Sequence, residues 1–349
     1  MSKCIAYCAD GTWDKSTNST NVYKIFKSLT VNADQTVFYD DGVGADGNPI
    51  SKLLGGAFGA GLFQKIKEGY AQIAQVYEAG DPLFLFGFSR GAYTARSLAG
   101  MIAICGLPTK SFTNDLVEAA FSAYRATGAA RDALLAQLNG CDMYDAKIAM
   151  VGVWDTVGSL GIPATVGLVD PILYSFLDTS LHPDVHNAYH ALAIDERREE
   201  FPATLWTSQP APGQTLEQVW FTGVHSDVGG GEPVDNPGVT ALSDITLSWM
   251  MNKAGALGLS VAPAAQALHP FPTDPKSALD TLHSSWNVLW GIPKRRPVAT
   301  ASTIANSVAV RLLNDSSYRP ENLDAPDGVL APHYAIETSV TELTRGAGC

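Results

Sequence analysis

The sequence predicts an α/β fold, a mainly parallel sheet with helices on both faces, and three observations carry that prediction. Over the first hundred residues, short apolar runs alternate with segments of helical periodicity, reading β-α-β-α-β-α. The run Leu83 to Phe86 is continuously apolar, as a strand buried on both faces must be. Polar clusters recur where the strands end, at Asp10, Ser89, Asp155 and the His225/Asp227 pair, on the edge where open α/β sheets bind ligands.

Taken in order, Cys4 to Ala9 reads as the first strand and runs into Asp10-Gly11-Thr12-Trp13. A polar loop leads to a helix near Val22 to Leu29, and Thr36 to Tyr39 is a second strand. The glycine-rich apolar stretch Leu53 to Phe63 reads as core packing, and Gln64 to Tyr77 has the spacing of an amphipathic helix. After the strand Leu83 to Phe86 the turn Gly87-Phe88-Ser89-Arg90-Gly91 opens a helix from Ala92 to Ile104. A helix near Leu116 to Tyr124 and a strand Ile148 to Val153 follow, the strand closing on Trp154-Asp155-Thr156-Val157-Gly158. Val185 to Arg198 reads as helical, with His186 and His190 four apart; without an acid placed as in His-Glu-x-x-His, this reads as a polar helix face rather than a metal site. Gln218 to Thr222 is a strand that leads into Gly223 to Gly231, and Leu242 to Met251 is an apolar helix. Beyond residue 260 the signal thins, and the apolar island at 286 to 292 reads as core packing. The organisation expected is a catalytic core over 1–260 with an insertion near 159–215, and a C-terminal extension over 261–349 packed on it.

With 349 residues, 46% of them hydrophobic, the chain can bury a large core, and a net charge of −12 argues against nucleic acid or an anionic surface as an electrostatic partner. Five cysteines with no metal-ligand pattern, and an amino terminus without a signal-peptide core, point to a reducing compartment, the cytoplasm. No apolar run reaches the roughly 20 residues of a membrane span. Nothing fixes the oligomeric state.

The chemistry lies in the Gly-x-Ser-x-Gly turn. A serine on a sharp strand-to-helix turn needs small residues at minus two and plus two, and it then presents its hydroxyl above the sheet edge. A serine alone is a poor nucleophile; an imidazole must take its proton, and a carboxylate must hold the imidazole's tautomer. Ser89, Asp155 and His225 occur in the chain order of α/β-hydrolases, which makes the expected fold α/β-hydrolase-like. Backbone donors for the oxyanion are expected from Arg90 and from Gly11 or Thr12. Asp10 is expected to support the loop after the first strand. Of the two acids near His225, Asp155 is rigidly placed at a strand end, whereas Asp227, two residues away, suits loop N–H groups or an ion. Segments 53–63 and 159–181 are expected to line an apolar acyl pocket. Two other readings stay open: a metal-dependent hydrolase using Asp10, Asp155, His225 and Asp227, and a catalytically silent binding module.

Several blocks carry a resemblance: Asp10-Gly11-Thr12-Trp13 with Thr20-Asn21-Val22, Gly87 to Ala92, Val153 to Gly158, Ala191 to Arg198, and Trp220 to Gly231. Together, from about residue 5 to 255, they resemble the DUF2235 family of α/β-hydrolases, which includes the Tle1-type phospholipase effectors of type VI secretion. The resemblance implies a Ser89, Asp155, His225 triad acting on acyl esters, with a small-molecule or lipid ester as substrate, no cofactor and no metal, and it leaves room for export by a non-classical route.

Overall fold

A computed structural model describes residues 2–11, 19–42, 57–109, 112–157, 180–232 and 240–342. The first half of the chain contains strands β1 (Cys4–Ala9), β2 (Gln35–Asp40) and β3 (Leu83–Phe88) and helices α1 (Asn21–Ser28), α2 (Ala57–Val76), α3 (Arg90–Cys105), α4 (Asn114–Arg125) and α5 (Gly128–Leu138). A two-stranded antiparallel ladder, β4 (Leu107–Pro108) with β5 (Met143–Tyr144), sits beside them. Strands β6 (Ile148–Trp154), β7 (Asn187–Ala193) and β8 (Thr215–Phe221) follow, then helices α6 (His225–Gly229), α7 (Leu242–Ala256) and α8 (Pro263–Leu268), strand β9 (Thr303–Ala305), helix α9 (Asn306–Asn314) and strand β10 (Ala335–Glu337).

Eight strands form one parallel sheet in the order β10-β9-β8-β7-β6-β3-β1-β2. The chain steps from β1 to β2 on one side and then returns past β1 to β3, so the topological switch lies between β1 and β3. Ligand-binding crevices open at such a switch, and Ser89 follows β3 directly.

Strand β3 explains why a continuous apolar run is the right signature. Phe84 and Phe86 join a core with α1, α7 and α9, while Leu83 and Leu85 join a second core with α2, α3 and α4. All four are fully buried. The amphipathic helix expected at 64–77 begins earlier, at Ala57, and buries Leu62, Ile66, Tyr70 and Ile73 at helical spacing. Part of the glycine-rich stretch is therefore helix; residues 53–56 lie outside the described residues.

One element differs in kind from its expectation. The segment Val185 to Arg198 is not a helix but contains β7, hydrogen-bonded between β6 and β8. An interior strand buried on both faces shows no alternation, and its three alanines match helix propensity equally well, so tertiary pairing decides the outcome. His186 and His190, four residues apart along an extended chain, are thereby separated by about 13 Å rather than one helical turn. His190 is a core residue whose Nε2 accepts from the Thr156 amide at 3.1 Å, and burial pushes its pKa down to about 3, so the ring is neutral.

The chain beyond residue 260 is more than a cover. β9 and β10, three residues each, extend the central sheet from β8, and α9 packs into the core on the α7 face. The apolar island at 286–292 does not behave as core: Val288 is 81% and Ile292 85% exposed. No helix among the described residues is long and apolar enough to cross a membrane.

The C-terminal segment is tied to the β7 end through Asp195, whose Oδ2 accepts from the Gly223 amide at 2.8 Å and the Tyr318 hydroxyl at 3.0 Å. Burial pushes the Asp195 carboxyl up to about 6. A raised carboxyl contributes stability that is present below the unfolded value of about 3.9 and lost as pH rises through the folded value. Asp195→Asn keeps an acceptor oxygen and removes the titration. Melting temperatures measured across this window should decline less with rising pH in the variant than in the wild type; parallel curves would refute the linkage.

Candidate active site

Strand β3 ends at Phe88 and α3 begins at Arg90, so Ser89 takes the whole change of direction alone, with φ 57° and ψ −119°. A left-handed φ costs a non-glycine residue on the order of 1–3 kcal/mol, and such strain concentrates at functional sites. Its neighbours show why the turn needs glycine: a Cβ on Gly87 would lie 2.4 Å from the Gly91 carbonyl oxygen, and one on Gly91 would lie 2.1 Å from that of Ala9. The Ser89 amide donates to the Trp154 carbonyl at 3.0 Å, fixing the turn to the end of β6. The hydroxyl makes no helix-capping hydrogen bond, so the serine is not there to cap α3.

Asp155 stands at the equivalent point after β6. It too has a positive φ, 40°, and its amide donates to Ala191 O at 2.8 Å. Its carboxylate is fully buried and saturated with donors: His225 Nδ1 at 2.6 Å on Oδ2, the Ala193 amide at 3.0 Å on Oδ1, and Arg296 from both guanidinium ends at 2.6 and 2.9 Å. Burial by itself would raise this carboxyl. The Arg296 charge and the His225 hydrogen bond overcome that and hold it well below the usual carboxylate range. Arg296 also donates to the carbonyls of Phe201 and Ala193, so its own charge is fully solvated by protein.

His225 opens the five-residue helix α6, which packs flush against Phe88: a Cβ on Gly229 would lie 1.9 Å from that ring. This contact sets the imidazole against Phe88, the residue before Ser89, with the Phe88 and His225 rings 4.5 Å apart and the Phe201 ring steeply tilted to the imidazole at 5.1 Å. The His225 amide donates to Glu196 at 3.2 Å, and Glu196 is paired with Arg198 through two bonds, at 2.9 and 2.8 Å. Asn21 anchors α6 from below, its Nδ2 donating to the carbonyls of Val228 and Ser243 and to Thr246 Oγ1. Among the described residues no hydrogen bond joins Ser89 to the His225 ring.

The remaining site residues fall as follows. Asp227 makes no hydrogen bond to the His225 ring among the described residues; its carboxylate accepts from the amides of Val224 and His283 and pairs with His283 Nδ1 at 2.6 Å. Asp10 is buried and accepts from Thr20 Oγ1, Tyr39 Oη and the Gly11 amide at 2.9 Å. The Gly11 amide, expected to serve an oxyanion, donates to the neighbouring Asp10 carboxylate in this structure. Arg90 is the first residue of α3, where amides point off the helix end. Thr12 lies outside the described residues, as do residues 159–179. Leu181, the last residue of that second expected pocket wall, instead lines a cleft along α3 with Tyr93, Ser97 and Trp206.

Arg296, Glu196 and His283 are missing from the sequence reading. Arg296 sits 141 residues from the carboxylate it holds, and its only signal is the Lys294-Arg295-Arg296 triplet in an acidic chain, which says nothing of burial. Removing one partner of a buried pair strands the other charge, at a cost of about 3–5 kcal/mol. Arg296→Met should therefore lose about that much stability in chemical denaturation, and adding Asp155→Asn should restore part of it. Two fully additive losses would show that the pair is not coupled.

Among similar proteins, an uncharacterized protein of Saccharomyces cerevisiae, YEL023C, is 29% identical over 237 residues, which take in 60% of this chain and 33% of that one. The chain thus spans about a third of the length of this relative. An uncharacterized protein from Pseudomonas aeruginosa with a crystal structure matches at 18% identity and a TM-score of 0.45, over 76% of this chain and 48% of the other. The family model of the type VI secretion (T6SS) phospholipase effector Tle1-like catalytic domain matches residues 3–253. That match takes in well over half of the chain and all three of Ser89, Asp155 and His225, and the chain belongs to this family, DUF2235.

Proposed function

We propose that the protein is a serine hydrolase that cleaves carboxylic esters of lipids, phospholipids in the first place, with Ser89 as nucleophile, His225 as general base and acid, and Asp155 as the carboxylate that fixes the imidazole. The observation that supports this reading is the strained Ser89 turn, whose Phe88 ring packs on His225, itself hydrogen-bonded to the buried Asp155. In the reaction, Ser89 Oγ attacks the acyl carbonyl and His225 Nε2 takes its proton. Asp155 keeps the other ring proton on Nδ1 and stabilises the imidazolium that forms. The same ring then returns the proton to the departing alcohol, and water repeats the sequence on the acyl-enzyme. The Arg90 amide, at the positive end of α3, is the donor aimed at the developing oxyanion.

The metal-dependent reading meets an electrostatic obstacle. Asp155 has a guanidinium on both oxygens, and Asp10 and Asp227 are each turned to separate partners. No three His, Cys, Asp or Glu side chains among the described residues lie close enough to share an ion.

Ser89→Ala should abolish ester hydrolysis with the fold intact, since loss of a serine-hydrolase nucleophile costs on the order of 10⁶ in turnover. The measurement is release of fatty acid from a phospholipid and of alcohol from a soluble short-chain ester; retention of a tenth of the activity would exclude the serine mechanism.

Asp155→Asn should cut turnover of the folded protein by about 10⁴, the cost of a wrong tautomer, beyond the stability lost by stranding Arg296, whereas Asp227→Asn should lower stability and activity together without a loss of that size in the folded protein. Turnover and melting temperature of the two variants decide the matter, and the reverse pattern would transfer the catalytic role to Asp227.

A further inference from the structure

The segment from His283 to Arg296 crosses the catalytic edge as a strap. One end is tied down by His283 on Asp227 and by Ser285 Oγ on Glu196 at 2.9 Å. The other is tied by the Lys294 amide on Arg197 O at 2.8 Å and by Arg296 on Asp155. In between, Trp290 packs edge-on against Phe201, the ring that closes the far side of His225, and Arg198 lies over both rings. Val288 and Ile292 of this bulge are exposed to solvent, the two most exposed large aliphatic side chains among the described residues, at 81% and 85%. Lys294 and Arg295 follow at once, and among the described residues the side chain of each makes a single salt bridge, to an exposed glutamate, Glu199 or Glu321. Such surface pairs hold weakly and exchange readily for another anion.

We infer that this bulge is an interfacial docking element: Val288 and Ile292 enter the headgroup–acyl boundary of a phospholipid bilayer while Lys294 and Arg295 meet lipid phosphates. This rests on the lipid-ester reading for its purpose, though not for its test. Aliphatic side chains with cations beside them are the composition of membrane-surface segments. The −12 net charge repels an anionic surface as a whole, so apolar insertion is the principal attraction and the two cations act locally. Because the strap holds Asp227, Glu196 and Asp155 at its two ends, docking would set the catalytic edge against the membrane from which the substrate is drawn.

The test is co-sedimentation of the full chain with vesicles of phosphatidylcholine, alone or mixed with phosphatidylglycerol, with turnover of a soluble short-chain ester measured in parallel. The wild type should pellet with both. Val288→Asp/Ile292→Asp should reduce partitioning at least about tenfold, in line with the apolar contribution to interfacial binding, while keeping the melting temperature and the soluble-ester turnover. Lys294→Ala/Arg295→Ala should weaken binding to the phosphatidylglycerol vesicles by roughly fivefold per cation. A wild type that stays in the supernatant, or an aspartate double variant that pellets as well as the wild type, would overturn the inference. Absence of any ester turnover in the wild type would instead count against the lipid-ester reading, and sedimentation would still decide the docking.

Discussion

A carboxylate with no solvent contact, that of Asp155, is the constraint around which the strand-end edge of the sheet is arranged. Burying Asp155 as an ion is unfavourable unless every lone pair is met, and the structure meets them with a guanidinium, an imidazole and a backbone amide. The guanidinium does more than neutralise. It bonds the Phe201 carbonyl as well, so the same side chain that holds the Asp155 carboxylate also places the ring that packs on His225. Removing the charge from either end of this pair would leave the other stranded, which is why Asp155, His225 and the segment carrying Arg296 must assemble together.

The backbone shares in this arrangement. Ser89 and Asp155 follow neighbouring strands, both with positive φ, and each is tied across to the next strand, Ser89 to Trp154 and Asp155 to Ala191. The sheet's hydrogen bonds therefore hold two strained turns in register, offsetting a conformational cost that neither turn would sustain alone. Arg296 also crosses the limit of the matched family region: residues 3–253 contain Ser89, Asp155 and His225, but the cation on Asp155 and the partners of Asp227 and Glu196 come from the strap beyond it. The two parts of the chain are energetically one unit at the site.

What was legible in the sequence follows from the range of the interactions involved. β1, β3 and β6 were readable because strands buried on both faces are continuous apolar runs, and the Ser89 turn was readable because its glycines answer a steric demand within a few residues. β7 was misread because its alanines satisfy either period until pairing chooses. The partner of the Gly11 amide is a local matter: an aspartate commonly captures the amide that follows it, and Asp10 does so. β9 and β10 are too short to show a period, and they exist through pairing with β8. Arg296 was invisible for the opposite reason from Ser89, since its meaning lies in a partner 141 residues away.

The distribution of rigidity across the site also indicates where motion remains. Asp155 is fixed by four donors from three different segments, and His225 is confined by Asp155 on Nδ1, Glu196 on its amide, and aromatic rings on two sides. Neither can adjust without breaking buried charge-assisted bonds. Ser89 has a fixed backbone but a hydroxyl that neither caps α3 nor bonds the imidazole, so a single rotation about its Cα–Cβ bond is the inexpensive degree of freedom. Catalytic hydrogen bonds commonly tighten only when substrate is bound. Under the proposed mechanism the tightening would fall on Ser89, because Asp155 and His225 are already set by their hydrogen bonds and by the packing around them.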